Sequence, residues 1–108
     1  MQKLMLSGNL TKDAEKKEFD NNDLIVFTVA DNSNDYFDKE GQKVKQPEFF
    51  RCELNTKKED GRFEYLQKGK YVSLNGRIKT TSYGEDDNKK YTSSVIVDGL
   101  EIVWSNEK

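Results

Sequence analysis

The segment QPEFFRCEL (46–54) sets Phe49 two positions before Arg51. Side chains alternate across a strand. An extended chain here therefore turns Phe50, Cys52 and Leu54 toward a core and leaves Phe49, Arg51 and Glu53 on the wet side. An exposed ring beside an exposed guanidinium offers a flat π surface and a fixed positive charge, which is binding chemistry and not acid–base or nucleophilic chemistry. Between residues 36 and 83 stand further rings, Tyr36, Phe37 and Tyr83, and further cations, Lys43, Lys45, Lys57, Arg77 and Lys79. Single-stranded nucleic acid asks for that mixture. Bases stack on aromatic faces, phosphates need positive charge, and because every base has a π face the stacking requires no particular sequence.

Each ring also has a plainer reading. Tyr36 and Phe37 could cover the apolar side of their own hairpin, Phe49 could be buried in a subunit interface, and Tyr83 could pair across strands with Tyr91. Scattered cations on strands are usually a solvated face. The pattern as a whole points further than any single residue does.

Composition narrows the alternatives. The chain of 108 residues has no histidine and one cysteine, Cys52. A structural zinc site and a Ser-His or Cys-His nucleophile are therefore not expected. One cysteine forms no disulfide framework, which suits a reducing cytoplasm. Twenty Asp and Glu keep carboxylate chemistry open, and GEDDN (84–88) could bind a divalent cation. The plainer reading of that stretch is a polar hairpin tip, so no metal or other cofactor is expected. No phosphate-binding glycine loop or zinc-protease motif occurs.

With 33% hydrophobic and 35% charged residues, the core must be thin, and no run approaches the ~20 apolar residues of a membrane span. The opening MQKLMLSGNL does not read as a signal peptide. Net charge is −2, yet residues 43–79 hold ten Lys and Arg against five Asp and Glu. Attraction follows the local patch more than the total, so the acidic balance does not exclude a polyanionic partner.

The elements that would position these side chains are mostly strands. KLMLSGNL (3–10) opens as one, with Gly8 permitting a bulge or a close backbone approach. A polar stretch, TKDAEKKEFDNND, precedes LIVFTVAD (24–31), which is rich in β-branched residues. Residues 31–54 read as a long hairpin turning near KEGQ (39–42). A helix is expected within 56–70, with Phe63 and Leu66 on one side and Gly69 as its stop. In 70–83, Val72, Leu74, Gly76 and Ile78 alternate with Tyr71, Ser73, Asn75, Arg77 and Lys79, and 91–104 returns as a fifth strand. The order β-β-β-α-β-β, with glycine kinks in the first and fourth strands, predicts an all-β domain: an OB-fold, a five-stranded Greek-key barrel with one short helix between strands three and four. It spans residues 1–104, leaving 105–108 as a short end.

At this point the residues resemble bacterial single-stranded DNA-binding proteins. GNLTKD together with YLQKGKYVSLNGRIKT carries the likeness, and VFTVAD, EFFRCEL and SYGEDDNKKYTSSVIVDGLEIV follow in the family's order. The resemblance implies a non-enzymatic protein that wraps single-stranded DNA in replication, recombination or repair. It also implies a homotetramer in preference to a homodimer, in the cytoplasm at the nucleoid. Stacking positions of the family fall on Tyr36 or Phe37, on Phe49 and on Tyr83, and its basic positions on Lys3, Arg51 and Lys79, with Lys57 a looser match. Lys43 and Arg77 complete the candidate set.

Three departures are visible. Asn55 stands where the family commonly has a ring, and Thr81 and Ser82 where cations are frequent. The sequence also ends at VWSNEK without the linker and acidic tip through which such proteins recruit replication enzymes, so recruitment by that route is not expected. Two other readings remain. One is an OB-fold module that binds protein, such as a primosome or accessory subunit, and the other a metal-dependent enzyme acting on nucleic acid.

Overall fold

Alternation sorts the long strands into an inner and an outer side. Leu6, Leu10, Val29, Cys52, Leu54, Val72, Leu74, Val95 and Val97 all fall on the inner side and are buried, with Ile25, Phe27 and Leu66 filling the centre. Burying each large aliphatic or aromatic side chain contributes roughly 1.5–3 kcal/mol. The computed structural model describes residues 3–31, 35–84 and 90–103, with Tyr83 placed by its backbone alone. Its elements are β1 (Leu4–Leu10), β2 (Glu15–Glu18), β3 (Asp23–Asp31), β4 (Tyr36–Phe37), β5 (Lys43–Val44), β6 (Glu48–Thr56), the 3-10 turn η1 (Gly61–Tyr65), β7 (Tyr71–Tyr83) and β8 (Lys90–Ile102).

The main sheet runs β1-β7-β8-β6-β3-β2, and an added β1–β3 pairing brings its ends together as a ring of five long strands. This is the expected OB-fold. Pairings are antiparallel except β6 with β8, which run parallel and meet only at Cys52–Val95 and Glu53–Ile96. Closure depends on two glycines. At Gly8, β1 passes from β7 to β3, and a Cβ there would overlap the carbonyl oxygen of Ala30. At Gly76, beside the register shift of the β7–β8 ladder, a Cβ would overlap the carbonyl oxygen of Ile96. Both are close backbone approaches that only glycine allows.

Three expectations change in detail. The helix is a single 3-10 turn. Asp60 caps it by accepting from the Arg62 N–H at 2.8 Å, and the Leu66 N–H donates to the Phe63 carbonyl, three residues back. Five residues opening on glycine are too few for a stable α-helix, but the turn suffices to plug the ring with Leu66. The polar stretch contains β2, whose EKKE sequence has no apolar alternation because it covers one edge of β3. A charged, four-residue edge is a common way of discouraging further pairing. The hairpin within 31–54 is a two-rung ladder, β4 against β5. Its turn is held by Asp38, whose Oδ1 accepts from the N–H groups of Glu40 and Gln42 at 3.0 and 2.9 Å.

At the foot of the ring, Asp23 is only 1% exposed. Lys58 Nζ lies 3.0 Å from its Oδ1, and the Glu59 N–H donates to Oδ2 at 3.0 Å. The hydrogen bond from Lys58, more than any other influence, holds the Asp23 carboxyl below the usual carboxylate range. Lys58 also donates to the Phe19 carbonyl at 2.8 Å, fastening the β2–β3 turn to the end of β6.

Candidate nucleic-acid interface

On β6, Phe49, Arg51, Glu53 and Asn55 face outward. Phe49 is 63% exposed, while Cys52 and Leu54 behind it are buried. The burial side of this strand is the one that period-two alternation predicts. Because Cys52 is level with Val95, Arg51 is level with Ser94, and Ser94 pairs in turn with Lys79. The next row toward the foot holds Glu53, Ile96 and Arg77. Arg51 and Lys79 thus flank β8 at the point where β6 and β8 cease to pair. Lys3 precedes Leu4, the partner of Gly76, so it emerges beside Arg77. Phe49, Arg51, Lys79, Arg77 and Lys3 thus gather on adjoining strands.

Their charges are not equally available. Arg51 Nε lies 3.5 Å from Glu53 Oε2, so part of its field is spent on a neighbour. Arg77 and Lys79 are exposed and have no carboxylate within 4 Å among the described residues.

The other candidates are dispersed. Phe37 sits directly opposite Lys43 on the β4–β5 ladder, and the two repeat the combination of ring and cation; Tyr36 lies on the opposite side, paired with Val44. Both rings are exposed, and Lys43 has Asp35 at 3.9 Å. This ladder is a sheet separate from the ring. Lys57 is exposed beyond the other end of β6, eight residues and about 26 Å of extended chain from Phe49, so it does not join the cluster. The Tyr83 backbone pairs with Lys90 and not with Tyr91, whose partner is Ser82. The side chain of Tyr83, residues 85–88 of the GEDDN stretch, and residues 104–108 lie outside the described residues.

Two features escape a linear reading. Ile78 alternates with the core residues of β7, yet it is 47% exposed because the β7–β8 ladder continues beyond the last core layer as a polar arm. Phe19, exposed in the β2–β3 turn, lies in a stretch with no apolar period.

Burial pushes the Cys52 thiol up to about 12, so it is not a nucleophile at neutral pH. Among the described residues no three Cys, Asp or Glu side chains converge as a metal site would require.

The profile of the Single-strand binding protein family matches residues 1–103. Single-stranded DNA-binding protein 2 of Clostridium acetobutylicum is 32% identical over 111 residues, covering 99% of this chain and 80% of that protein. The single-stranded DNA-binding protein of Clostridium tetani is 29% identical, covering 100% of this chain and 74% of its own length. Among solved structures, a Plasmodium falciparum SSB in complex with ssDNA superposes with a TM-score of 0.78 at 19% identity, over 95% of each chain. A deletion mutant of the Thermus aquaticus single-stranded DNA binding protein gives 0.77, also at 19%, over 98% of this chain and 52% of that one. At such identities the structures speak to the fold alone.

Proposed function

The chain belongs to the single-strand binding protein family, and we propose on that premise that it coats single-stranded DNA without sequence preference and without catalysis. The observation that carries this reading is Phe49, which stays largely exposed beside Arg51 on a strand whose other side is core. A base stacked on that ring is worth roughly 1–3 kcal/mol. Arg51, Lys79, Arg77 and Lys3 lie within reach of successive phosphates, while Phe37 with Lys43 on the separate β4–β5 ladder offers a second contact of the same kind. Coating of this sort shields exposed strands in the cytoplasm during replication, recombination or repair.

Self-association fits the adjoining part of the wall, on the other side of the register shift between Asn75 and Gly76. Met5, 79% exposed, leads a row with Asn75, and Ser7 Oγ donates to Ser73 Oγ at 3.2 Å beside the exposed Tyr71. This face has an apolar side chain to bury and no cation, and we assign it to subunit pairing within a homotetramer.

Titration with oligo-dT at several salt concentrations, beside light scattering, tests the reading. Affinity should fall with salt at about −0.7 in log–log slope for each phosphate neutralised, and labelled DNA should survive magnesium or manganese uncut. A protein-binding role is the second reading, favoured by the Arg51–Glu53 pairing. Absence of oligo-dT binding at low salt would support it.

A further inference from the structure

β6 and β8 share only two pairs, Cys52–Val95 and Glu53–Ile96. Above them β6 stays with β3 through Phe50–Val29 and Phe49–Ala30, while β8 follows β7 into the arm through Ser94–Lys79 and Ser93–Thr80. The two strands therefore part like a fork. The crotch of the fork is a cleft of about 220 Å³, lined by the apolar Phe50, Ile78 and Val95 and by Phe49, Arg51, Ser93 and Ser94.

We infer that this fork takes one nucleobase of the bound strand, edge first, so that each protomer buries a single base in addition to those stacked on its surface. The inference rests on the proposed function and deepens it. Size favours one base: pockets for drug-sized ligands run to roughly 300–1,000 Å³, and this cleft is smaller.

Polarity favours a base as well. Where a parallel ladder stops, every second N–H and C=O on each facing edge loses its partner in the other strand. Those groups, the two serine hydroxyls and the Arg51 guanidinium match the mixed donors and acceptors of a base edge. The apolar lining matches its faces. Ser93 Oγ lies 3.4 Å from Thr80 Oγ1, a weak contact that a stronger partner can replace. The site is also continuous with the strip, because Phe49 and Arg51 belong to both. A strand lying on Phe49 passes over the mouth of the fork.

Ser93→Leu fills the cleft from the exposed arm without touching the ring's core or any cation, and Ser93→Ala leaves the space open. Oligo-dT affinity of Ser93→Leu should drop about tenfold with the salt slope unchanged, while Ser93→Ala, which gives up one hydroxyl of the cleft but keeps its space, should drop less, about threefold. Permanganate oxidation of bound oligo-dT should reveal one strongly protected thymine per protomer, lost in Ser93→Leu. If Ser93→Leu binds oligo-dT as the parent does and protects as many thymines, the fork is empty in the complex and the inference is overturned while strand coating stands. A parent that binds no oligo-dT overturns both.

Discussion

β7 passes through two surfaces that share one backbone and one alternation. Its first outward residues, Tyr71, Ser73 and Asn75, meet Met5 and Ser7 of β1 and Glu101 of β8, a face with one carboxylate and no cation. Its later outward residues, Arg77 and Lys79, meet Ile96 and Ser94 and look across to Arg51 and Phe49. The register shift between Asn75 and Gly76 separates the halves. Alternation decides only that both sets face outward. The kind of side chain decides what each face can meet, a second copy of the chain in one case and a polyanion with flat bases in the other.

The comparison can be broken at the seam itself. Gly76→Val forces a side chain against the carbonyl of Ile96 and should cost roughly 4 kcal/mol or more, the range of severe core lesions. Chemical denaturation reads this as a collapsed or absent transition. Less drastically, Phe49→Ala should weaken oligo-dT binding by roughly 1–3 kcal/mol with the salt slope preserved. Tyr71→Ala, on the other half, should leave the intrinsic affinity unchanged and lower the assembled mass seen by light scattering. An equal loss of affinity from both would erase the distinction between the faces.

Charge sharpens the contrast further. Lys79→Ala should flatten the salt dependence by about 0.7, and more than Arg51→Ala does, because Glu53 already engages Arg51. Glu53→Gln should then tighten binding by roughly 0.2–1 kcal/mol, the scale of an exposed ion pair. The smallest effect on binding belongs to the foot of the ring, away from both faces. There Asp23, its carboxyl held below the usual range, stabilises the fold above the unfolded value of about 3.9, and this contribution fades as pH falls through the lower folded value. Thermal melts from pH 6 to pH 2 should show Asp23→Asn less stable than the parent near neutrality and less sensitive to acid, with oligo-dT affinity unchanged.

Much of this was legible in the residues because strands report their faces at short range. The order of long strands, the outward Phe49 and Arg51, and special backbone positions at Gly8 and Gly76 follow from period two and from glycine, while the close approach to the Ile96 carbonyl at Gly76 needed the fold to be seen. β2 was hidden because an edge strand of four charged residues has no apolar partner to reveal it. Ile78 shares a face with Val72 and Leu74 yet lies beyond the core, since alternation says which side a residue faces and not where the core ends. The fork was out of reach for another reason: it arises where strands distant in sequence separate, and nothing local marks the point.

Cys52 sits at the crotch where β6 and β8 last touch, fully enclosed. A thiol reagent can reach it only in molecules whose wall has come apart, which turns the chain's lone thiol into a built-in clock for that event. A guest lodged between the two strands would act as a wedge holding the gate shut, and the clock should run slow whenever it is there.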